Sequence, residues 1–166
     1  MKPPLPAATG QSMPEGLTPD QAAFWATFLA SPAAPPDADA RFHSVFAIGS
    51  GSDAGATLIL SGVKTATSSL PAEFQDIAPP TPGSLSLLTG AGGRPTGIVE
   101  TLSMAPLTLS QMDDGFSAAY AEWPNHTSFV QGMIEWYQSV DPGFTAETPL
   151  LAERFRVIWP TPKSPP

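Results

Sequence analysis

The sequence predicts an α+β fold in which short strands curl into a small β-barrel with flanking helices. Three observations predict it. Helix-like and strand-like segments follow one another in the order helix, strand, helix, strand, hairpin, helices, strand. The chain has 166 residues, 42% of them hydrophobic, which suits one domain with a core of its own. It shows no internal repeat, and with no cysteine it has no disulfide framework to replace a core.

Residues 1–17 read as a flexible tail. Thr18-Pro19-Asp20-Gln21 has the form of a helix start: a capping threonine, a proline in the first turn and a glutamine to complete a capping box. The helix runs to about Ala30, with Phe24, Trp25, Phe28 and Leu29 on its apolar side. After a proline-rich connection, Phe42 to Ile48 reads as a strand broken by Gly49-Ser50-Gly51-Ser52. Asp53 begins a second helix with Gly62 as its stop, and Thr65 to Ser69 is a short strand. Ser84 to Leu88 and Gly97 to Met104 form a hairpin around a turn at Gly90–Pro95. On the second strand Glu100 shares a face with Ile98 and Leu102, so an inward carboxylate is expected to be paired or hydrogen-bonded. Leu107 to Leu109 reads as the start of another strand. Asp113 to about Trp123 reads as a helix opened by an acidic pair, and Phe129 to Val140 as an amphipathic helix with Phe129, Met133, Trp136 and Tyr137 at helical spacing. Arg154 to Trp159 closes the domain, which spans 18–160; residues 161–166 form a second tail.

A net charge of −8 argues against a broad nucleic-acid surface, because phosphate contacts need cations and the chain has seven lysines and arginines in all. Five of them, Arg41, Lys64, Arg94, Arg154 and Arg156, lie outside the tails. That is enough to line a pocket and too few to coat a groove. No stretch approaches the roughly 20 apolar residues of a membrane span, and MKPPLPAATG lacks a signal-peptide core, so no membrane association and a cytoplasmic location are expected. No metal or other cofactor is expected, Asp113-Asp114 reading as a helix-start charge pair.

In a chain this poor in cations, Lys64 stands out. It sits in Gly62-Val63-Lys64-Thr65-Ala66-Thr67-Ser68-Ser69, beside four hydroxyl side chains, where a lysine can activate a hydroxyl or hold an anion. Gly62-x-Lys64-x-x-Thr67 resembles the G-x-K-x-x-T-x-R signature of the ASCH superfamily. Phe46–Leu70, Pro82–Ser86, the hairpin Gly92–Thr101 and the strand Pro149–Val157 resemble further segments of that family in the same order. The resemblance covers about 20–160 and implies a barrel related to the PUA domain that binds a nucleoside or RNA. It implies a hydrolase for some members, either an N4-acetylcytidine amidohydrolase or a ribonuclease. For the amidohydrolases it implies a catalytic set that by position is Lys64, Thr67 and Glu100. Ser69 stands where the motif has arginine, and Phe129 and Met133 stand where relatives carry tryptophan and histidine.

In chemical terms, Thr67 would attack an acyl carbonyl, a neutral Lys64 would take its proton, and Glu100 would pass a proton to the departing amine. Ser69, Arg154, Arg156 and Tyr137 are the further substrate-binding candidates, together with Ser50, whose neighbouring backbone amides can cradle an anion. A ribonuclease would use Lys64 with Arg154 or Arg156 for charge. His43 and His126 are expected to serve packing or solvent. A structural Lys64–Glu100 ion pair is the competing expectation, and a non-catalytic RNA-binding module the third function. The expected ligand is a modified nucleoside or short single-stranded RNA, a small substrate being favoured by the acidity.

Overall fold

The computed structural model describes residues 14–48 and 53–161. Ser50, the rest of the Gly49–Ser52 segment and most of both expected tails lie outside the described residues. Among the described residues there are four α-helices: α1 (Pro19–Leu29), α2 (Asp53–Leu60), α3 (Asp114–Tyr120) and α4 (His126–Gln138). Five strands accompany them: β1 (Phe42–Ala47), β2 (Ala66–Ser69), β3 (Leu85–Thr89), β4 (Pro95–Leu107) and β5 (Leu150–Trp159). They form one sheet in the order β1-β3-β4-β5-β2. The expected barrel is not closed. Among the described residues β1 pairs with β3 and β2 pairs with β5, while β1 and β2 remain the two free edges of an open sheet.

Local chemistry accounts for the element boundaries. The Thr18 hydroxyl accepts from the Gln21 amide while the Gln21 side chain accepts from the Thr18 amide, so the capping box opens α1 as its sequence requires. Pro95 to Leu107 forms one long strand. The expected strand at Leu107–Leu109 does not start there, because Leu109–Gln111 turns into a 3-10 helix with Leu109 fully buried. Helix α3 stops at Tyr120, before Trp123, because Ala121 takes a left-handed conformation (φ 62°) that ends the hydrogen-bond ladder.

The chain divides into two compact units. One contains the residues up to Ser61, Gly83–Glu100 and Arg156 onward; the other contains Gly62–Pro82 and Thr101–Phe155. The first is built on α1, whose Trp25 and Phe28 are fully buried with Leu85, Leu87 and Ile98. Burying such a ring stabilises by roughly 3 kcal/mol. Trp25 keeps its indole N–H satisfied by donating to Asp39 (3.1 Å). The second unit packs Phe116, Tyr120, Phe129, Met133, Tyr137 and Phe144 over the small residues Ala66 and Ala152. Gly132 is required there: a Cβ would collide with the Trp123 indole. On α4 the apolar stripe is narrower than its spacing suggests, since Trp136 is 53% exposed while Phe129, Met133 and Tyr137 are buried. Among the described residues no helix is long and apolar enough to cross a membrane.

Candidate functional site

The Lys64 segment inverts the usual order of burial. Val63 is 55% exposed and Lys64 is 1% exposed. The backbone explains this. The Thr65 amide donates to Ala119 (2.8 Å) and the Thr65 carbonyl accepts from the Phe155 amide (3.0 Å), so the chain is tied on both sides just where Lys64 turns inward. A buried ammonium must then find acceptors. Lys64 Nζ donates to the Tyr120 carbonyl (2.9 Å), lies 3.0 Å from Glu122 Oε1 and sits 3.5 Å from the centre of the Tyr120 ring. The carbonyl is available because Tyr120 ends α3, where the last carbonyls have no partner within the helix. Burial pulls the amine down from the usual lysine range to about 8, with the Glu122 carboxylate opposing the shift.

Both acceptors flank Ala121. Its φ of 62° aims the carbonyl before it and the carboxylate after it at one amine, a conformation glycine adopts without strain. Replacing Ala121 by glycine is therefore expected to raise stability by about 1 kcal/mol, read as a higher urea midpoint at unchanged m-value.

Thr67 is 7% exposed and stands opposite Glu153 in the antiparallel β2–β5 register. Residues directly opposite share a face, which brings Thr67 and Glu153 together. Glu153 is itself buried and accepts from the Thr101 hydroxyl (2.7 Å). On the other face of β2, Ser68 Oγ lies 2.9 Å from the Tyr137 hydroxyl and 3.5 Å from that of Tyr120. Burial pushes both phenols above the ordinary tyrosine range. Tyr137 also stacks on Phe144 (4.7 Å between centroids), so its hydroxyl belongs to a buried cluster. Ser69 is half-buried, paired with Leu151 at the free edge of the sheet.

Glu100 belongs to the other unit and has its own partners. It accepts from Arg41 Nη2 (2.6 Å), from Arg156 Nε (2.8 Å) and from Arg156 Nη2 (2.7 Å). Arg41 also donates to the Gly83 carbonyl (2.7 Å). The expectation that this carboxylate is paired holds, but the partners are arginines, and the competing Lys64–Glu100 pair is replaced by Lys64–Glu122. Glu100 is mostly out of solvent beside the fully buried Ile98, while Leu102, expected on the same inward face, is 48% exposed. Arg94 pairs with Asp53 (2.8 Å). Arg154, opposite Ala66, is exposed and makes no ion pair among the described residues; its guanidinium lies 5.3 Å from the centre of the Phe116 ring. His43 Nδ1 lies 2.8 Å from Ser44 Oγ, and His126 opens α4 with Nδ1 3.2 Å from Ser117 Oγ. Asp113 caps α3 through the Phe116 amide (2.8 Å), as an acidic pair at a helix start should.

Sequence reasoning missed Glu122, Tyr120 and Glu153. Glu122 and Tyr120 are about 56 residues from Lys64, and only the fold brings them there. Glu153 carried a signal: in Leu150–Trp159 it is the acidic residue aligned with Thr67 once β2 and β5 are paired.

A family model of the ASCH domain matches residues 44–159. No curated protein matches the chain. It is similar to the crystal structure of an ASCH domain from Lactobacillus crispatus, at 20% identity over 87% of this chain and 97% of that one, with a TM-score of 0.75. It is also similar to a protein of Enterococcus faecalis, at 19% identity over 83% of this chain and 92% of that one, with a TM-score of 0.64. At these identities the likeness is one of fold.

Proposed function

Because the chain belongs to the ASCH domain family, we propose that it is a binding module for a single nucleoside or a very short RNA element, in which Lys64 and Glu100 are taken up by partners within the protein and do not act on the ligand. The observation that carries this reading is that both residues are already engaged. Lys64 is 1% exposed against Glu122 and the Tyr120 carbonyl, and Glu100 is held by two guanidiniums. A general base must reach the proton it removes, within about 3 Å or through one water. Neither group is presented that way.

The free charge bounds the ligand. Of the described cations, Arg41, Lys64, Arg94 and Arg156 are ion-paired and Arg154 is not. One unpaired cation supports about one phosphate contact, so the logarithm of affinity falls with the logarithm of salt with a slope no steeper than about −1. A long RNA strand needs several.

Two observations favour a second reading, the N4-acylated cytidine amidohydrolase. The Lys64 amine is pulled down to about 8, and Thr67 faces the buried Glu153 across the sheet. A threonine beside a carboxylate is a nucleophile and base in principle, with Glu153 in the role first assigned to Glu100. The two readings part in one experiment. Cytidine, N4-acetylcytidine and a cytidine-containing trinucleotide are titrated calorimetrically, and each mixture is followed by mass spectrometry. Binding with every ligand recovered intact is expected. Conversion to cytidine that is lost in both Thr67→Val and Glu153→Gln overturns the binding module in favour of the hydrolase. Cleavage of the trinucleotide points to a ribonuclease, and no binding at all sinks all three.

A further inference from the structure

Arg154 is the unpaired cation among the described residues of a chain whose net charge is −8. With fifteen carboxylates in the sequence, a guanidinium that makes no ion pair among the described residues is informative. The side chain stands 5.3 Å from the centre of the buried Phe116 ring, on the wall of a cavity of about 140 Å³ within the second unit. That is roughly five waters' worth of space, too small for a drug-sized ligand and large enough for one functional group with a short stem.

The lining is chemically divided. Phe116 and Met112 give an apolar floor, while Arg154, Gln111, Ser103 and Asp113 give polar groups. Gln111 Oε1 accepts from the Thr108 amide (3.0 Å), and its NH2 makes no hydrogen bond among the described residues. Asp113 Oδ1 is used by the Phe116 amide (2.8 Å), and its negative charge remains at the pocket. A guanidinium fork selects an oxyanion. A carboxylate in the same wall disfavours a dianion much more than a monoanion.

We infer that this pocket is a subsite for a singly charged oxyanion with a small apolar substituent, a carboxylate or a phosphate diester, gripped by Arg154 over Phe116. Arg154 is also the free cation that bounds the ligand in the nucleoside reading, and small probes with no base or sugar test the subsite by itself. The experiment is a titration of isobutyrate and of dimethyl phosphate, followed by amide shifts in two-dimensional NMR. Saturable millimolar binding of at least one probe is expected, with shifts concentrated at 111–116 and 152–154. Arg154→Met keeps a side chain with an unbranched apolar stem and removes the fork that stands over Phe116; it is expected to weaken binding at least about tenfold. Arg154→Gln repeats the test without a new apolar side chain. Asp113→Asn retains a capping oxygen and removes the competing charge, so it is expected to tighten binding by about threefold.

Preference for isobutyrate or for dimethyl phosphate identifies which oxyanion the subsite takes, and either result supports it. Failure of both probes to saturate overturns the inference. Unchanged affinity in both Arg154 variants overturns the assignment of the grip to Arg154. Weaker binding in Asp113→Asn overturns the preference for a monoanion.

Discussion

Raising the pH from 7 to 10 is expected to stabilise the protein by about 2 kcal/mol in urea melts, the reverse of the usual alkaline loss. Lys64 is the cause. Its amine titrates near 8 in the folded protein and near 10.5 in the unfolded chain. Between those values the unfolded state binds more protons, so stability rises as pH rises. Below 8 both states are protonated, and the cost of burying the charge is paid in full. The rise has an upper end. Burial holds Tyr120 and Tyr137 above the ordinary tyrosine range, so the unfolded phenols ionise first and stability falls again as pH passes about 10. Lys64→Met, close in shape and uncharged, is expected to flatten the rise while keeping the fall. A wild-type midpoint that does not change between pH 7 and 10 would remove the buried, weakened amine from the account.

Legibility in the sequence divides along a physical line. Features set by neighbours along the chain were readable. The Thr18–Gln21 capping box, the hairpin around Gly90–Pro95 and the Asp113 cap depend on residues two to six apart, and all are present. Features set by strand pairing were not. The sequence marks Lys64 as unusual, but whether its amine meets Glu100 or Glu122 depends on where α3 ends. That end depends on one left-handed alanine with no glycine to announce it. Thr67 was singled out for its motif, yet its neighbour Glu153 emerges only from the β2–β5 register. The barrel is expected from the order of the elements and from the family resemblance. Closure is a property of the edges, and a β2 of four residues leaves one edge short and open.

The variant Glu100→Gln is expected to lower stability by about 2–3 kcal/mol, and the comparison with Arg156→Met identifies its role. The Glu100 side chain is 15% exposed, Arg41 24% and Arg156 62%. Removing the carboxylate charge leaves two guanidiniums facing one amide, one of them mostly out of solvent. Arg41 is additionally anchored on the Gly83 carbonyl, so it cannot swing away without losing a second bond. Arg156 is largely solvated, and its removal is expected to cost less than about 1 kcal/mol. The double variant Glu100→Gln with Arg156→Met should then be no less stable than Glu100→Gln alone, because it relieves the repulsion that the first change creates. The sign matters for function. A carboxylate kept for chemistry is held against the preferences of the fold, and neutralising it leaves stability unchanged or improved. A carboxylate kept for structure shows the loss described here. Stabilisation by Glu100→Gln would therefore return Glu100 to the set of groups that act on a ligand, and would count directly against the binding module.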